Sequence, residues 1–322
     1  MTLTRRIAAA ADRATTRLVR LEILVLALGI PLFGAFYLVD QHVDAGPSLV
    51  QRQVQAAERR VRTAPNSIQA RLQLALAYRQ DSRLDDALRQ YDEILRAEGS
   101  HRAALLGRGG VLMAKGDLDS AAAAFRTITG AASTGEFAGA DPQLAEAHYF
   151  LGSIALTQGK VKAALAELQA ALKIDQTDAD AWYLLGLARL KDGAAERAVP
   201  AFRRALLFVP TGWCEPYSQL AVAYSTLRQA PQAEYAASMV DFCQKRPAEA
   251  KRRLQALAAG PVAVDAMLGL GMIAESSSER AEAVGWYRRV LAADAANIGA
   301  RSALSRLGVR PTPAGPAAAG TG

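Results

Sequence analysis

The residues best able to carry chemistry are few and widely scattered in this sequence. Its two cysteines, Cys214 and Cys243, have none of the paired spacings of a zinc site, a redox dithiol or a haem attachment. The three histidines, His42, His101 and His148, lie far apart, so packing or helix capping is the expected role of each. The sequence therefore predicts no metal site built from cysteine or histidine.

Two further patterns imitate known sites without meeting their requirements. Asp175, Asp178 and Asp180 cluster as calcium ligands would, but the glycine and the distal glutamate of a calcium loop are missing. Gly269 and Gly271 imitate a dinucleotide fingerprint, but no strand precedes them. The sequence also lacks a nucleophile elbow, a paired-histidine metalloprotease motif and a phosphate loop. We therefore predict no cofactor and no enzyme activity.

Composition favours packed helices over sheets. Apolar residues make up 51% of the 322 residues, mostly as Ala and Leu, whereas aromatic residues make up 6%. Of the net charge of +7, about three units belong to the basic segment before the first apolar stretch. Elsewhere Arg alternates with Asp and Glu, as on solvated helix faces. Because aromatic and basic residues are not interleaved, we predict no nucleic-acid binding.

An uncharged apolar stretch near the N-terminus predicts a membrane anchor. Residues 23–39 contain no charged side chain, and flanking leucines help the stretch reach bilayer thickness. The Arg cluster within residues 1–20 predicts a cytoplasmic N-terminus. Residues 21–40 are then a single transmembrane helix, and the folded part lies on the periplasmic or cell-surface side. A cleaved signal peptide ending at Ala45 is one alternative, and a buried helix of a soluble protein is a weaker one.

Internal self-similarity is the strongest signal in the chain. The clearest unit combines aromatic residues, a Leu-Gly step, small residues and a proline. It comprises Trp182, Leu185, Gly186, Gly193, Ala198, Phe202, Ala205 and Pro210. The pattern recurs about 34 residues earlier, at His148, Leu151, Gly152, Ala155, Gly159, Ala164, Leu168 and Ala171. It resembles the tetratricopeptide repeat (TPR), and fainter units extend it from near residue 65 to near residue 297.

This resemblance implies an all-α fold, a right-handed TPR superhelix (α-solenoid) of about six helix-turn-helix repeats. Residues 41–63 are expected to form a juxtamembrane linker helix, and residues 64–308 the TPR domain. Departures from the period predict a surface loop near 131–141 and an added amphipathic helix within 244–261. The Pro/Ala/Gly-rich residues 309–322 are expected to be a disordered tail.

The repeat pattern also predicts how each pair of helices packs. Gly152 and Gly186 let the two helices of a repeat approach closely. Phe125, Phe202 and Tyr287 are expected to fill the gap to the following repeat.

The resemblance further implies a binding surface. In TPR proteins the inner groove is lined by the first helix of each repeat, at the second, fifth, ninth and twelfth places of the repeat pattern. Here these places hold Leu72, Leu76, Arg79, Leu106, Met113, Tyr149, Ser153, Leu156, Tyr183, Leu187, Leu190 and Met272. Such a groove is expected to bind an apolar or amphipathic peptide or helix of another protein. The Asn and Lys residues with which family members grip C-terminal carboxylates are missing, which disfavours chaperone tails. Alternatively, part of this set packs between helices.

Within this pattern the two cysteines gain a structural role. Cys214 would begin the first helix of a repeat and Cys243 would end the second, and antiparallel pairing brings these helix ends together. We therefore predict a disulfide, which fits an oxidising compartment. Two buried free thiols are the alternative.

The architecture favours a membrane-anchored TPR adaptor that gathers other proteins during assembly of an envelope or membrane complex. One alternative is an integral accessory subunit of a membrane complex of respiratory or cytochrome type. Another is a cytochrome c maturation factor, by analogy of architecture alone. The repeats leave no stretch long enough for a catalytic domain.

Overall fold

A computed structural model of the protein describes residues 29–34, 37, 47–132 and 138–311. All regular secondary structure in these residues is helical. The chain divides into two compact units, Met1–Asn66 and Ser67–Gly322.

Helix α1, Leu49–Thr63, is the main described element of the first unit. Ser48 and Gln51 form a capping box: the Gln51 N–H donates to Ser48 Oγ at 3.1 Å, and the Ser48 N–H donates to Gln51 Oε1 at 2.9 Å. Val54 and Ala57 are buried. Helix α1 lies within residues 41–63, for which the sequence predicts a juxtamembrane linker helix.

The predicted membrane anchor falls mostly outside the described residues. Residues 1–20 are not described, and within 21–40 only residues 29–34 and 37 are described, as helix. No helix among the described residues has both the length and the apolar character that crossing a bilayer requires. The anchor therefore stays a prediction from the sequence.

Six helix pairs form most of the described second unit, and consecutive pairs pack against one another. They are α2 (Ile68–Gln80) with α3 (Leu84–Ala97), α4 (Arg102–Ala114) with α5 (Leu118–Ala132), α6 (Pro142–Thr157) with α7 (Val161–Ile174), α8 (Ala179–Lys191) with α9 (Ala195–Phe208), α10 (Glu215–Thr226) with α11 (Ala230–Cys243), and α13 (Ala263–Ser276) with α14 (Arg280–Ala293). Two single helices complete this unit, α12 (Pro247–Leu257) and α15 (Ile298–Arg306). The predicted all-α solenoid of about six repeats is confirmed.

The turn inside each pair has one residue in the left-handed conformation. These residues have φ between 57° and 82° and are Ser82, Gly116, Gly159, Gly193, Arg228 and Ser278. At Gly193 the backbone N–H donates to the Leu190 carbonyl, and the next N–H donates to the Arg189 carbonyl, which ends α8. Lys245, with φ 62°, makes the same kind of turn between α11 and α12. The recurrence of this turn sets the spacing of the repeat.

A glycine beneath a large side chain holds the helices of a pair close together. A Cβ atom on Gly186 would lie 2.4 Å from Cε1 of Phe202, and one on Gly271 would lie 2.5 Å from Cε1 of Tyr287. Both rings are fully buried. The repeat pattern predicts these rings only in the gap to the next repeat, and this prediction is incomplete. Each ring also covers a glycine of its own repeat, where no larger residue fits.

We expect Gly186→Ala to lower the free energy of unfolding by about 1–2 kcal/mol. The added methyl group overpacks the contact with Phe202 by about 1–3 kcal/mol, while the gain in helix propensity returns up to about 1 kcal/mol. The control is Gly285→Ala, because a Cβ there meets no atom within 4 Å. Urea denaturation should show Gly285→Ala unchanged or more stable, whereas equal behaviour of the two variants would contradict this packing.

Helical elements lie in both segments that depart from the repeat period. Helix α12 occupies part of 244–261, and its Ala250 and Leu254 are buried in one core with Met239 and Leu270. Near 131–141, α5 extends to Ala132 and a short 3-10 helix spans Ala138–Ala140. Residues 133–137 and 312–322, which include most of the predicted tail, lie outside the described residues.

Helix α15 covers the last helix pair. Asn297 caps its N-terminus by accepting a hydrogen bond from the Ala300 N–H at 3.0 Å. Ala300, Ala303 and Leu304 are buried in one core with Tyr287 and other residues of the last pair. The apolar end of the solenoid is thereby shielded from water.

Candidate protein-binding groove

The first helices line the concave side of the helix stack. Each of α2, α4, α6 and α8 touches the first helix of the following pair. Among the described residues, the second helices of successive pairs do not approach one another as closely. A stack bends toward the side on which its neighbours are closest. The inner surface of this one is therefore built from first helices.

Most of the predicted groove residues are partly or well exposed on these helices. This group comprises Leu72, Leu76, Arg79, Met113, Tyr149, Ser153, Tyr183, Leu187, Leu190 and Met272. Leu106 and Leu156 are different, because only 9% and 6% of their surface is exposed and both belong to apolar cores. For these two residues the alternative of packing between helices applies, because neighbouring helices take up both side chains.

Val222 belongs to the groove and was missed. It occupies the ninth place of the repeat pattern, on α10, where Leu76 and Leu187 stand in their own repeats, and 52% of its surface is exposed. Its position in the repeat was a sufficient signal to find it from the sequence.

The middle of the groove has an aromatic surface. The Tyr183 ring lies 5.1 Å from the Trp213 ring and 5.9 Å from the Phe202 ring, measured between centroids. On the preceding first helix, the rings of Tyr149 and Phe150 meet edge to face at 5.2 Å. Trp213 lies in the connection between α9 and α10, so the repeat pattern gave no reason to place it in the groove.

A disulfide joins the two cysteines beside this aromatic surface. Cys214 directly follows Trp213 and precedes α10, and it is bonded to Cys243, the last residue of α11. The Cα atoms are 5.5 Å apart, within the range that disulfides favour. The bond ties the start of α10 to the end of α11 and so limits the movement of the loop that carries Trp213.

Carboxylates stand next to the aromatic rings. Glu146, Asp180 and Glu215 occupy the second place of the repeat pattern, on α6, α8 and α10, and all three are exposed. Burial, with Asp180 and Asp178 nearby, raises the pKa of Tyr149 to about 12. Burial, with Glu215 nearby, also raises the pKa of Tyr183. Both phenols therefore stay neutral at physiological pH, in a locally negative field.

A cavity of about 460 Å³ lies at the C-terminal end of the groove. Helices α9, α10, α13 and α15 contribute most of its lining, and its apolar residues include Leu206, Leu207, Phe208, Leu268, Met272 and Ile298. Arg203 closes one wall by donating two hydrogen bonds of 3.0 Å to Asp265. The volume falls within the range of pockets that hold apolar ligand groups.

A second carboxylate of this region is also neutralised by an arginine. Glu275 accepts two hydrogen bonds of 2.9 Å from Arg306, which lines the cavity, and one of 2.8 Å from the Tyr287 hydroxyl. Hydrogen bonding to Arg306 is the main reason why the pKa of Glu275 lies below its usual value of 4.5.

We therefore expect acid to loosen the packing of α15. A carboxylate whose pKa is lowered on folding stabilises the fold above its unfolded pKa, near 4.5, and loses that contribution as the pH falls through its folded pKa. Amide hydrogen exchange in α15 should accelerate as the pH falls below 4.5, after correction for intrinsic rates. In Glu275→Gln this acid-dependent part should disappear, and an unchanged pH profile in that variant would contradict the assignment.

The remaining polar clusters have structural partners. Asp178 caps α8 by accepting from the Ala181 N–H at 2.9 Å, and Asp175 accepts from the Thr177 N–H at 2.8 Å. His148 Nδ1 lies 2.7 Å from Glu167 Oε2 within the same helix pair. Within the part of the chain that the structure describes, no three His, Cys, Asp or Glu side chains are grouped so as to hold a metal ion.

Known proteins provide an independent comparison. A family profile described as "Tetratricopeptide repeat" matches residues 72–136, 176–212 and 242–298, and a second one, "TPR repeat", matches 152–193. Together they cover more than half of the chain. No curated protein matches the sequence as a relative.

Several solved structures are similar to the chain at low sequence identity. A MamA variant, "MamA RS-1 ArsTM double mutant", has a TM-score of 0.50 and 22% identity over 56% of this chain and 96% of its own. YrrB, "a TPR protein with an unusual peptide-binding site", has a TM-score of 0.48 and 20% identity over 63% of this chain and 99% of its own. MamA from Desulfovibrio magneticus has a TM-score of 0.47 and 23% identity over 56% and 95%. With the matching profiles and the helix pairs described above, the chain belongs to the tetratricopeptide-repeat family.

Proposed function

We propose that this protein is a non-catalytic scaffold that binds an apolar or amphipathic segment of another protein along its concave groove. TPR domains bind other proteins or peptides. The observation that carries the proposal is the row of exposed or half-buried apolar side chains on successive first helices, from Leu76 through Tyr183 and Leu187 to Val222 and Met272. Apolar side chains at this spacing suit a segment that presents its own apolar face.

The cavity supports this proposal by offering an anchor point. Met272 and Leu268 of α13 form one side of it, and Phe208, which is 39% exposed, forms part of another. A single large apolar side chain of the partner would cover these surfaces. Removing apolar area from water in this way stabilises the complex by about 25 cal/mol per Å². Binding energy at such sites is concentrated in a few buried anchors.

Site-directed photo-crosslinking tests the groove. A photoreactive phenylalanine derivative replaces Tyr183 on the concave side, and in a matched protein it replaces Glu196, an exposed residue at the start of the second helix α9. Irradiation of natively expressed protein should give discrete crosslinked partners from position 183 and few from position 196. Equal crosslinking from both positions would contradict the proposal.

The same proposal places the scaffold at a membrane, where it would help to assemble an envelope or membrane complex. The uncharged residues 23–39 and the preceding Arg residues support a single anchor at residues 21–40 with the N-terminus in the cytoplasm. The disulfide supports an oxidising, extracytoplasmic location for the repeats. Protease added from outside the membrane should digest the repeat domain of the full chain, and complete protection would contradict this topology.

A further inference from the structure

The unpaired charges of the groove have one sign across its central part. Glu146, Asp180 and Glu215 occupy the same place in three successive first helices and are exposed. None of the three has a direct ion-pair partner among the described residues, but the Arg79 guanidinium of α2 is close enough to Glu146 to favour its charged form. In the next first helix, α13, Asp265 is paired with Arg203 and Glu275 with Arg306. Among the first helices described, the carboxylates without a direct ion pair are therefore confined to α6, α8 and α10.

Basic residues are scarce on the same helices. The sequences of α6 and α10 contain no Lys or Arg. Helix α8 has Arg189 and Lys191 in its last turn only, and Arg189 donates to the Arg197 carbonyl at 2.8 Å, in the second helix of its own pair. This local arrangement is opposite to the net charge of +7 of the whole chain. Attraction of a cation to this surface would thus arise from the groove itself and not from the protein as a whole.

The aromatic rings add a second attraction for cations. Tyr149, Tyr183 and Trp213 lie among these carboxylates, and Tyr183 and Trp213 are in contact at 5.1 Å. Lys and Arg side chains favour the faces of aromatic rings, and their aliphatic stems cover apolar surface. A Lys or Arg side chain can therefore contact a ring and a carboxylate of this surface at the same time.

We propose that the central groove binds a cationic amphipathic segment of the partner, with Lys or Arg side chains opposite Glu146, Asp180 and Glu215 and apolar side chains against Tyr183, Leu187 and the cavity. This inference rests on the proposed function and adds the charge of the partner to it. An anionic segment would meet the exposed carboxylates of Asp180 and Glu215, which have no ion-pair partner among the described residues, and is disfavoured.

Two synthetic peptides provide the test. Both have leucine at the same helical positions, and the remaining positions are lysine in one and glutamate in the other. Fluorescence anisotropy with the full chain in mild detergent should show the Leu/Lys peptide binding at least about tenfold more tightly at low salt. The difference should shrink as the salt concentration rises.

Charge-neutral variants show which carboxylates cause the preference for the Leu/Lys peptide. The groove variant Glu146→Gln/Asp180→Asn/Glu215→Gln should lose most of the preference for the Leu/Lys peptide. The control variant Glu98→Gln/Asp119→Asn/Glu196→Gln, with exposed carboxylates outside the groove, should keep it.

Equal binding of both peptides to the wild-type protein, or equal loss of the preference in both variants, would overturn this inference and leave groove binding standing. Binding of neither peptide would also overturn it, while the crosslinking at position 183 independently decides whether the groove binds a partner.

Discussion

Reduction of the Cys214–Cys243 disulfide is expected to lower the free energy of unfolding of its helix pair by about 3–4 kcal/mol. The two cysteines are 29 residues apart in sequence, and closing a loop of that length restricts the unfolded chain by about that amount on the chain-entropy model. Because a solenoid repeat contacts only its neighbours, the loss should be concentrated in α10 and α11. Hydrogen exchange and urea denaturation, with and without reductant, measure it.

A double serine variant separates the disulfide from other effects of the reductant. Cys214→Ser/Cys243→Ser should resemble the reduced wild-type protein in stability, and adding reductant should not change it further. Unchanged exchange rates in α10 and α11 on reduction, with both thiols shown to be free by alkylation, would contradict a stabilising role for the bond.

The second large effect is expected at Asp241, the buried carboxylate that holds α12 against α11. Its side chain is 7% exposed, pairs with Arg246 at 2.5 Å and accepts a further hydrogen bond from Arg253 of α12. Removal of one partner from a buried ion pair costs about 3–5 kcal/mol. We expect Asp241→Leu to cost about 3 kcal/mol, the lower end of this range, because Arg253 keeps its bond to Glu234 at 2.7 Å.

A compensating variant provides the control for this prediction. Asp241→Leu/Arg253→Met replaces both charges by apolar groups and should recover much of the loss, because no buried charge is then left unpaired. Urea denaturation of the three proteins measures both steps. A double variant less stable than Asp241→Leu would show that the cost arises from packing and not from the charge.

The periodic part of the fold was predictable because local spacing determines it. Trp182, Gly186, Phe202 and Pro210 stand at fixed offsets, and those offsets reflect a contact within one helix pair that the structure contains. The caps at Asp178 and Asn297 are likewise local, since each side chain bonds to a backbone N–H three residues ahead.

Features that join distant parts of the chain were not predictable. The cavity depends on Arg203 meeting Asp265, 62 residues later, after the extra helix α12 has displaced the last pair from the regular period. Trp213 lies in a connection, where the repeat pattern makes no assignment. Leu106 and Leu156 show a further limit. The position of a leucine in the repeat does not reveal how much of its side chain the neighbouring helices bury.

The charge of the groove was visible in the sequence and was overlooked. Glu146, Asp180 and Glu215 stand at one place of the repeat, but the prediction considered apolar character and the missing carboxylate-binding set. The structure adds the fact that these carboxylates lack ion-pair partners among the described residues, whereas Asp265 and Glu275 have theirs. The search for a partner can therefore begin with cationic amphipathic segments.

The central claim is that the concave groove recruits a partner protein, and quantitative co-purification in mild detergent tests it most directly. The groove variant Leu76→Gln/Val222→Gln replaces two side chains that are 46% and 52% exposed, so it should fold normally, and Leu49→Gln on α1, 71% exposed, is the control. Both should be extracted in wild-type amounts. The account predicts that proteins recovered with the wild type and with Leu49→Gln are lost or strongly reduced with the groove variant. An identical set of partners at identical ratios from all three proteins would contradict it.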